Sequence, residues 1–399
     1  ITFEKLGVDQ LFIDEAHNFK NLGLITKMTR VAGVPTISSQ KAEDLYLKIR
    51  YLLKKNDYKH GVVFATGTPI SNTIAELYVM QKYLMYDRLE EVGFDTFDAW
   101  ASTFGEVVSS IEINPTGTGY RSNQRFAKFN NVPELMKLFR EVADIITADM
   151  IDLPKPKLQD GKITIVKAPM NPELKDYVQS LIDRAEKIHN GSVDPKLDNM
   201  LCVVNDGKKA ALDPRLVGIN VDYPDSKINI CIDNVYSEWV EGMPEKLTQI
   251  IFCDLGTPKK QNRNKTTSEF LDNTSFNVYE DIKKKLIKKG IPDRQIAFIH
   301  DADTAQKKNK LFQQFREGKI RILIGSTGKM GEGCNIQDRL VAMHELDCPW
   351  RPSDVEQREG RILRVGNMNP VVRVYRYCTK GTFDNYSWQT VETKAKFIA

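Results

Sequence analysis

Two adjacent carboxylates, Asp14 and Glu15, follow the short apolar run Leu11-Phe12-Ile13 near the amino end of the chain. A strand that delivers paired carboxylates at its carboxyl end suits a nucleoside-triphosphatase, because one carboxylate can hold Mg²⁺ while the other orients the attacking water. We therefore interpret Asp14 as a ligand of a nucleotide-bound Mg²⁺ and Glu15 as the residue that activates water. Asp-Glu pairs are also common on solvated helices, so this interpretation depends on the other motifs.

Three arginines recur three residues apart near the carboxyl end, at Arg358, Arg361 and Arg364, directly after Gln357. On a helix this spacing places them along one slanting face. Guanidinium stays charged and binds phosphate oxygens through paired hydrogen bonds, so the face is suited to a phosphate cleft. The alternative is a surface helix with salt bridges. The apolar strand predicted at Leu340–His344 and the turn after it favour a helix held at a cleft.

A turn of small residues, Thr66-Gly67-Thr68, follows the apolar run Val62–Ala65 and could lie beside a phosphate. By itself, it is equally well a turn that caps the next helix. It therefore gains meaning only beside the other motifs.

The stretch that begins at Ser326 resembles a phosphate-binding P-loop at first sight. Leu323 stands where the first glycine is required, however, and Met330 stands where Ser or Thr is required. We reject it as a P-loop and interpret it as a contact with phosphate or with the DNA backbone. A true P-loop should lie well before the acidic pair, and only thirteen residues precede Asp14. We expect that loop upstream of residue 1.

Composition indicates a folded protein with more than one core. The chain has 399 residues, of which 41% are hydrophobic and 28% are charged. The net charge of +4 is too small to identify nucleic-acid binding by itself. The six cysteines are scattered without metal-site spacing, which is typical of reduced thiols in a cytoplasmic protein. No apolar stretch approaches the ~20 residues that span a bilayer, so we expect no membrane contact.

Alternating strand and helix patterns predict an α/β fold with parallel, doubly wound sheets. In residues 1–152 we expect strands at 10–13 and 62–65, a helix at 42–54, and a helical protrusion over 93–152 with one flexible glycine-rich loop. Pro154 and Pro156 indicate a linker, because proline biases the preceding residue away from helix.

Residues 153–399 are predicted to form a second α/β lobe with a helical insertion at about 170–245. Short apolar strands are expected at 163–167, 250–253, 296–299, 320–324, 340–344 and 371–377, with helices at 276–289 and up to 315. The polar run 257–274 is expected to be a long exposed loop.

Four blocks, taken in order, resemble motifs II, III, V and VI of the Swi/Snf-like superfamily-two helicases. They are Phe12–Asn21, Thr66–Leu77, Gly331–Gln337 and Pro349–Asn367. Ile145–Pro154 also resembles the crossing between the two lobes of that family. The whole chain is most similar to the large helicase-methylase proteins of phages and conjugative elements.

The resemblance implies two RecA-like lobes, the first incomplete in this chain, with ATP and Mg²⁺ between them and double-stranded DNA across both. It assigns Mg²⁺ binding to Asp14 of the DEAH box, and catalysis to Glu15, Arg361 and Arg364. Nucleotide contacts are assigned to Gln357, Arg358, Gly331 and Gly333, and coupling to DNA is assigned to Thr66, Gly67, Thr68, Ser326, Thr327, Lys329 and Asn335. The chain departs from the family at Gly360, where many members carry Asp, and at Asn367, where Gln is usual.

Our leading hypothesis is the carboxyl-terminal portion of an ATP-dependent DNA translocase or helicase that is inactive alone. Its expected partners are double-stranded DNA, the missing amino-terminal part of the first lobe with its P-loop, and a fused DNA methylase domain. The alternative is a non-catalytic DNA-binding or scaffolding module whose nucleotide site has decayed. Retention of Asp14, Glu15, Arg361 and Arg364 favours the motor.

Overall fold

The computed structural model describes most of the chain. The described residues are 2–28, 31, 33–70, 73–113, 120–147, 150, 153–194, 196–258, 276–330 and 335–398. Gly331 and Gly333, the glycine-rich stretch at 115–119 and most of the predicted loop at 257–274 lie outside them.

Two parallel strands and two helices form the first part of the chain. Strand β1 (Leu11–Ile13) pairs in parallel with β2 (Val62–Phe64), and helices α1 (Gln40–Lys55) and α2 (Ala75–Leu84) follow them. Helix α1 buries the face that the sequence predicts, because apolar residues recur at a helical period; its buried members include Ala42, Leu45, Ile49 and Leu52.

The segment 93–152 is mixed, which corrects the prediction of a purely helical protrusion. After α3 (Tyr86–Glu91) and α4 (Phe97–Phe104), strands β3 (Gly105–Ile113) and β4 (Tyr120–Phe129) form an antiparallel pair, and α5 (Val132–Phe139) follows. The aromatic residues at helical spacing belong to α4, whereas the β-branched residues that follow it favour strand. Gly105 lies against the Phe126 ring so closely that an added Cβ would come within 2.0 Å of it.

The second region contains a seven-stranded sheet in which every pairing is parallel. Its path is β5-β11-β10-β7-β9-β8, with β6 also paired to β11. The strands are β5 (Lys157–Leu158), β6 (Thr164–Ala168), β7 (Thr248–Phe252), β8 (Ile296–Phe298), β9 (Ile322–Gly325), β10 (Leu340–Glu345) and β11 (Val371–Thr379). The parallel α/β class predicted from the sequence is confirmed.

Helices cover both faces of this sheet. They are α6 (Pro172–His189), α7 (Met200–Leu212), α8 (Lys227–Glu241), α9 (Val278–Lys288), α10 (Ala305–Arg316), α11 (Thr327–Met330), α12 (Pro352–Ile362) and α13 (Phe383–Ile398). Alternate residues of β7 enter opposite cores: Ile251 packs with α8 and α9, and Ile250 packs with α10 and α12. Burial on both faces explains why these strands read as continuous apolar runs. In the described ranges, no helix is long and apolar enough to cross a bilayer.

Candidate nucleotide site

The paired carboxylates lie directly beyond the carboxyl end of β1. Asp14 is exposed, and its Oδ1 accepts a hydrogen bond of 2.9 Å from the backbone amide of Glu15. Glu15 has the left-handed backbone conformation, with φ 49° and ψ 46°. A left-handed non-glycine residue stores strain and is found disproportionately at functional sites. The turn therefore places two neighbouring carboxylates directly beyond the carboxyl end of β1.

Asp14 fits the binding of Mg²⁺ through a nucleotide. Mg²⁺ prefers carboxylate oxygen and usually keeps several water ligands, so it needs an accessible carboxylate rather than an enclosed cage. The exposed position of Asp14 meets that need. Within the described residues, no cluster of three or more His, Cys, Asp or Glu side chains could hold a metal by itself.

His17 joins the acidic turn to the threonine turn. The backbones meet first, since the amide of Ala16 donates to the carbonyl of Ala65 at 3.1 Å. Nδ1 of the buried His17 ring then lies 3.0 Å from Oγ1 of Thr66, 3.4 Å from Oγ1 of Thr68 and 3.3 Å from Oε2 of Glu15. Movement of either turn must therefore disturb the other.

Gly67 forms the exposed tip of the threonine turn. The hydroxyl of Thr66 also accepts a hydrogen bond of 3.1 Å from the amide of Thr68, so the two residues close the turn between them. Such a small, tight turn leaves room for a ligand to approach its backbone.

A buried ion pair fixes the chain immediately after the acidic turn. Nζ of Lys20 lies 2.7 Å from Oε1 of Glu76 in α2, and both side chains are less than one tenth exposed. This pair holds the segment that follows the acidic turn against α2.

In the second region, Arg358 joins the carboxyl ends of three strands. Its Nη2 lies 2.7 Å from Oδ2 of Asp254, beyond β7, and 3.0 Å from Oδ1 of Asp347, beyond β10. Its Nη1 donates to the carbonyl of Asp347 at 2.8 Å, and its Nε donates to Oγ1 of Thr327, beyond β9, at 2.8 Å. The side chain is completely buried.

This Arg358 network is closed by further hydrogen bonds among its members. The amide and hydroxyl of Thr327 donate to Asp254 at 2.6 and 2.8 Å, and the amide of Asp254 donates to Asp347 at 2.6 Å. Burial disfavours the charge on Arg358, but Asp347 and Asp254 raise its pKa above the ordinary value. Arg358 therefore stays charged inside the second region.

Arg358 and Thr327 also bond extensively within the protein. All three guanidinium nitrogens of Arg358 and the hydroxyl of Thr327 bond to protein groups. The prediction that Arg358, Arg361 and Arg364 lie along one slanting helix face is wrong for Arg364. Arg358 is buried, Arg361 is half-buried, and α12 ends at Ile362, before Arg364.

The remaining predicted residues differ in exposure. Gln357 and Arg364 are half-buried, and Lys329 and Asn335 are exposed. Oγ of Ser326 lies 3.4 Å from Nε2 of His300. Burial lowers the pKa of His300, and the nearby charge of Lys329 lowers it further.

The two departures from the family pattern are compatible with this fold. The amide of Asn367 donates to the carbonyls of Leu340 and Ile362 at 2.9 and 3.1 Å, so it ties α12 to β10. A Cβ placed on Gly360 would meet no atom within 4 Å, which leaves room for the aspartate of other members.

Asp254 and Asp347 are members of the Arg358 network that the sequence analysis missed. Each follows a short apolar strand by two residues, as Phe252-Cys253-Asp254 and Glu345-Leu346-Asp347. A carboxylate at the carboxyl end of a parallel strand could have been recognised by the argument that identified Asp14.

Two family matches agree with this geometry. Residues 1–147 match the family described as a probable helicase domain, and residues 243–366 match the helicase conserved C-terminal domain. The two matched segments contain the acidic turn and the Arg358 network, respectively.

The chain is also similar to two curated proteins and to one solved structure. The chain is 24% identical to Defense against restriction protein B of Escherichia phage P1, across 100% of this chain and 23% of that protein. It is 41% identical, across 20% of this chain and 14% of the relative, to an uncharacterized ATP-dependent helicase, YqhH, of Bacillus subtilis (strain 168). The crystal structure of the C-terminal part of the Fun30 ATPase domain is 15% identical and superposes with a TM-score of 0.44, over 62% of this chain and 96% of that one. The chain spans less than a quarter of the length of the phage relative.

Proposed function

Because this chain belongs to the superfamily-two helicases, we propose that it forms part of an ATP-dependent translocase on double-stranded DNA. In this proposal the first region supplies the acidic turn, the second region supplies arginines, and a P-loop upstream completes the site. We therefore expect the 399-residue chain alone to be inactive as an ATPase.

The contact of His17 with both threonines is the observation that carries the proposal. A motor must link hydrolysis to movement. Because one histidine contacts both the carboxylate turn and the threonine turn, a shift of one turn can be transmitted to the other. His17 is also 3.3 Å from Glu15, the residue proposed to act on water. A change in the threonine turn on DNA binding would therefore reach Glu15 through one side chain.

In the proposed mechanism, Asp14 would hold Mg²⁺, which neutralises phosphate charge when it is bound. Glu15 orients water and accepts its proton, and Arg361 and Arg364 stabilise negative charge on the transferred phosphoryl group. The Arg358 network acts indirectly, because it fixes the helix from which Arg361 extends. We infer that Gln357, Gly331 and Gly333 contact the nucleotide, and that Thr66, Gly67, Thr68, Ser326, Lys329 and Asn335 contact or respond to DNA.

The alternative function is a DNA-binding or scaffolding module with a decayed nucleotide site. The exposed Asp14 and the strained backbone at Glu15 favour the motor, since a scaffold gains nothing from the cost of a left-handed glutamate. Strand separation rather than translocation is compatible with the same motifs.

The proposal is tested by substituting His17 with Ala in the protein extended upstream through a P-loop. We expect a loss of DNA stimulation of up to about tenfold, the scale of one or two hydrogen bonds, with smaller change in turnover without DNA. His60→Ala, at an exposed position of the same region, is the matched control. Triplex displacement measures movement in the same samples.

The motor interpretation is contradicted if the extended parent protein binds duplex DNA but neither hydrolyses ATP in response nor displaces a triplex strand. That outcome would favour the scaffold. If the extended parent displaces the triplex strand but His17→Ala leaves the DNA stimulation unchanged, the motor function is retained and His17 is rejected as the coupling contact.

A further inference from the structure

A cavity of about 600 Å³ opens in the second region on the side of the sheet away from the Arg358 network. Its lining residues precede strands: Lys246 precedes β7, Gln295 precedes β8, and Arg321 precedes β9. Asp254 and Thr327 follow β7 and β9. Since strands rise about 3.3 Å per residue, the four or five residues of β7 and β9 separate the two edges by roughly 15 Å. The cavity is therefore distinct from the nucleotide site.

The lining of the cavity is positively charged. The titratable residues of the lining are all cations, and no carboxylate side chain is among the described residues that line it; the cations are Lys246, Arg294, Lys319 and Arg321. On the rim, Glu317 pairs with Lys319 at 2.6 Å. Trp239, Ile320 and the exposed Met243 provide an apolar wall, and Gln295 and Gln314 add neutral polar side chains.

Arg321 is the innermost of these cations and is only 2% exposed. Its Nε donates to the carbonyl of Leu247 at 2.9 Å, and its Nη2 donates to the carbonyl of Trp239 at 2.8 Å. These bonds give Arg321 a structural role at the end of α8, where a cation is favourable. They leave Nη1 without a hydrogen-bond acceptor among the described residues, and no carboxylate there pairs with the guanidinium.

A buried cation without an acidic partner is unusual, because burial costs free energy unless the charge is compensated. Burial lowers the pKa of Arg321 to about 10, so the group is still charged at neutral pH. A carboxylate that entered the cavity would supply the missing counter-charge.

We propose that this cavity binds an acidic peptide segment. Carboxylates of the segment lie against Arg321, Lys246, Arg294 and Lys319, and an apolar side chain lies against Met243, whose thioether adapts to irregular shapes. The cavity lies within the 300–1,000 Å³ range of ordinary ligand sites. This site goes beyond the proposed motor function and does not depend on it.

The wall favours peptide over nucleic acid. Trp239 is only 9% exposed, and its ring already contacts the Tyr236 ring, with centroids 6.0 Å apart, and the Arg321 guanidinium, 5.2 Å from its centroid. Single-stranded nucleic acid binds largely through bases stacked on accessible aromatic rings. That platform is not offered here.

The test uses fluorescence anisotropy of a short fluorescein-labelled peptide of alternating glutamate and leucine, titrated with the 399-residue chain. We expect saturable binding that Lys246→Glu/Lys319→Glu weakens by about tenfold or more, as expected for reversal of two contacting charges. Both lysines are exposed, so folding is not at risk. Lys284→Glu/Lys288→Glu, on the exposed side of α9, makes the same change in net charge and is expected to bind like the parent.

Equal weakening by the two double variants would overturn the proposal, because the peptide would then respond only to net charge. Absence of binding would also overturn it. Labelled oligothymidylate is titrated in parallel, and tighter binding of it with the same dependence on Lys246 and Lys319 would replace the peptide site with a nucleic-acid site.

A second arm distinguishes where the natural segment resides. If it belongs to the same longer protein, the labelled peptide binds the P-loop-containing protein more weakly than it binds this chain, because the cavity is already occupied. If the segment belongs to a partner, the two proteins bind the peptide equally.

Discussion

The carboxyl ends of the strands differ sharply between the two regions. Beyond β1, Asp14 is exposed and the Glu15 side chain is 42% exposed. At the ends of β7 and β10, the Arg358 side chain is 0% exposed, the Asp347 side chain is 6% exposed and the Asp254 side chain is 33% exposed. The first end is open to a ligand, whereas the second is closed by its own hydrogen bonds.

This contrast indicates that the two ends have different roles. A buried charge network is costly to open, since removal of one member leaves the others uncompensated. Such a network is suited to hold α12 in one position. An open end can instead exchange water for a ligand. We therefore expect substitutions at the open end to alter turnover and those in the network to alter stability.

The largest expected effect tests Arg361, which lies one helical turn from Arg358. In the extended protein, Arg361→Ala and Arg361→Lys should each reduce ATP turnover by about a thousandfold, and Arg364 should be similarly sensitive, because an arginine finger acts by charge and geometry together. Melting temperatures should stay near that of the parent. Arg140→Ala, an exposed position in the first region, is the control. Near-parental turnover by a normally folded Arg361→Ala would remove Arg361 from the site.

Glu15→Gln should come next, with turnover lowered by about a hundredfold or more and nucleotide binding retained. The amide keeps the size of the side chain but cannot accept the proton of the attacking water. Single-turnover hydrolysis and nucleotide binding measured together separate the two steps. Glu43→Gln on the exposed side of α1 controls for loss of a carboxylate. Unchanged hydrolysis would exclude Glu15 as the base.

Arg358→Met should destabilise the 399-residue chain itself by about 3 kcal/mol or more, because Asp347 and Asp254 lose their buried counter-charge. Urea unfolding measures this, with the exposed Arg351→Met as control. Burial already raises the pKa of Asp347, and removal of the guanidinium raises it further. When a carboxyl has a raised pKa in the folded state, the stability of the protein falls as pH rises. The stability lost in Arg358→Met should therefore be smaller at lower pH. A loss of unfolding free energy no larger than that of Arg351→Met would show that the network adds no stability.

The smallest effect concerns Glu359, which contacts Arg376 at 3.2 Å. Burial raises the pKa of Glu359 from 4.5 to about 7. The folded chain therefore binds this proton more tightly than the unfolded chain, and stability falls as pH rises from about 4.5 to about 7. Glu359→Gln should flatten that part of the profile, whereas the exposed Glu90→Gln should not. Parallel profiles for the parent and Glu359→Gln would contradict the assignment.

The predictable part of the fold is the part that local patterns encode. The buried face of α1 and the short strands β7 and β10 followed from apolar periodicity, and the order of the motifs identified the helicase family. The hairpin β3–β4 did not follow, because the helical period of the aromatic residues ends with α4 and does not continue into the strands.

The Arg358 network could not be predicted from spacing alone. Arg358 and Asp254 are 104 residues apart, and only the pairing of β7 between β9 and β10 brings their side chains together. Three arginines at equal intervals look equivalent in a sequence. In the folded protein Arg358 is buried and has a structural role, whereas Arg361 is only half-buried.

We propose that the open end is half of a nucleotide site and that a phosphate-gripping loop upstream completes it. Steady-state ATP hydrolysis should therefore be compared between the 399-residue chain and a version extended upstream through a Gly-Lys-Ser/Thr loop, each with and without duplex DNA. We predict negligible turnover by the chain and DNA-stimulated turnover by the extended protein, because the amides and lysine of that loop are needed to hold the β- and γ-phosphates. Brisk, DNA-stimulated hydrolysis by the 399-residue chain alone would contradict the account.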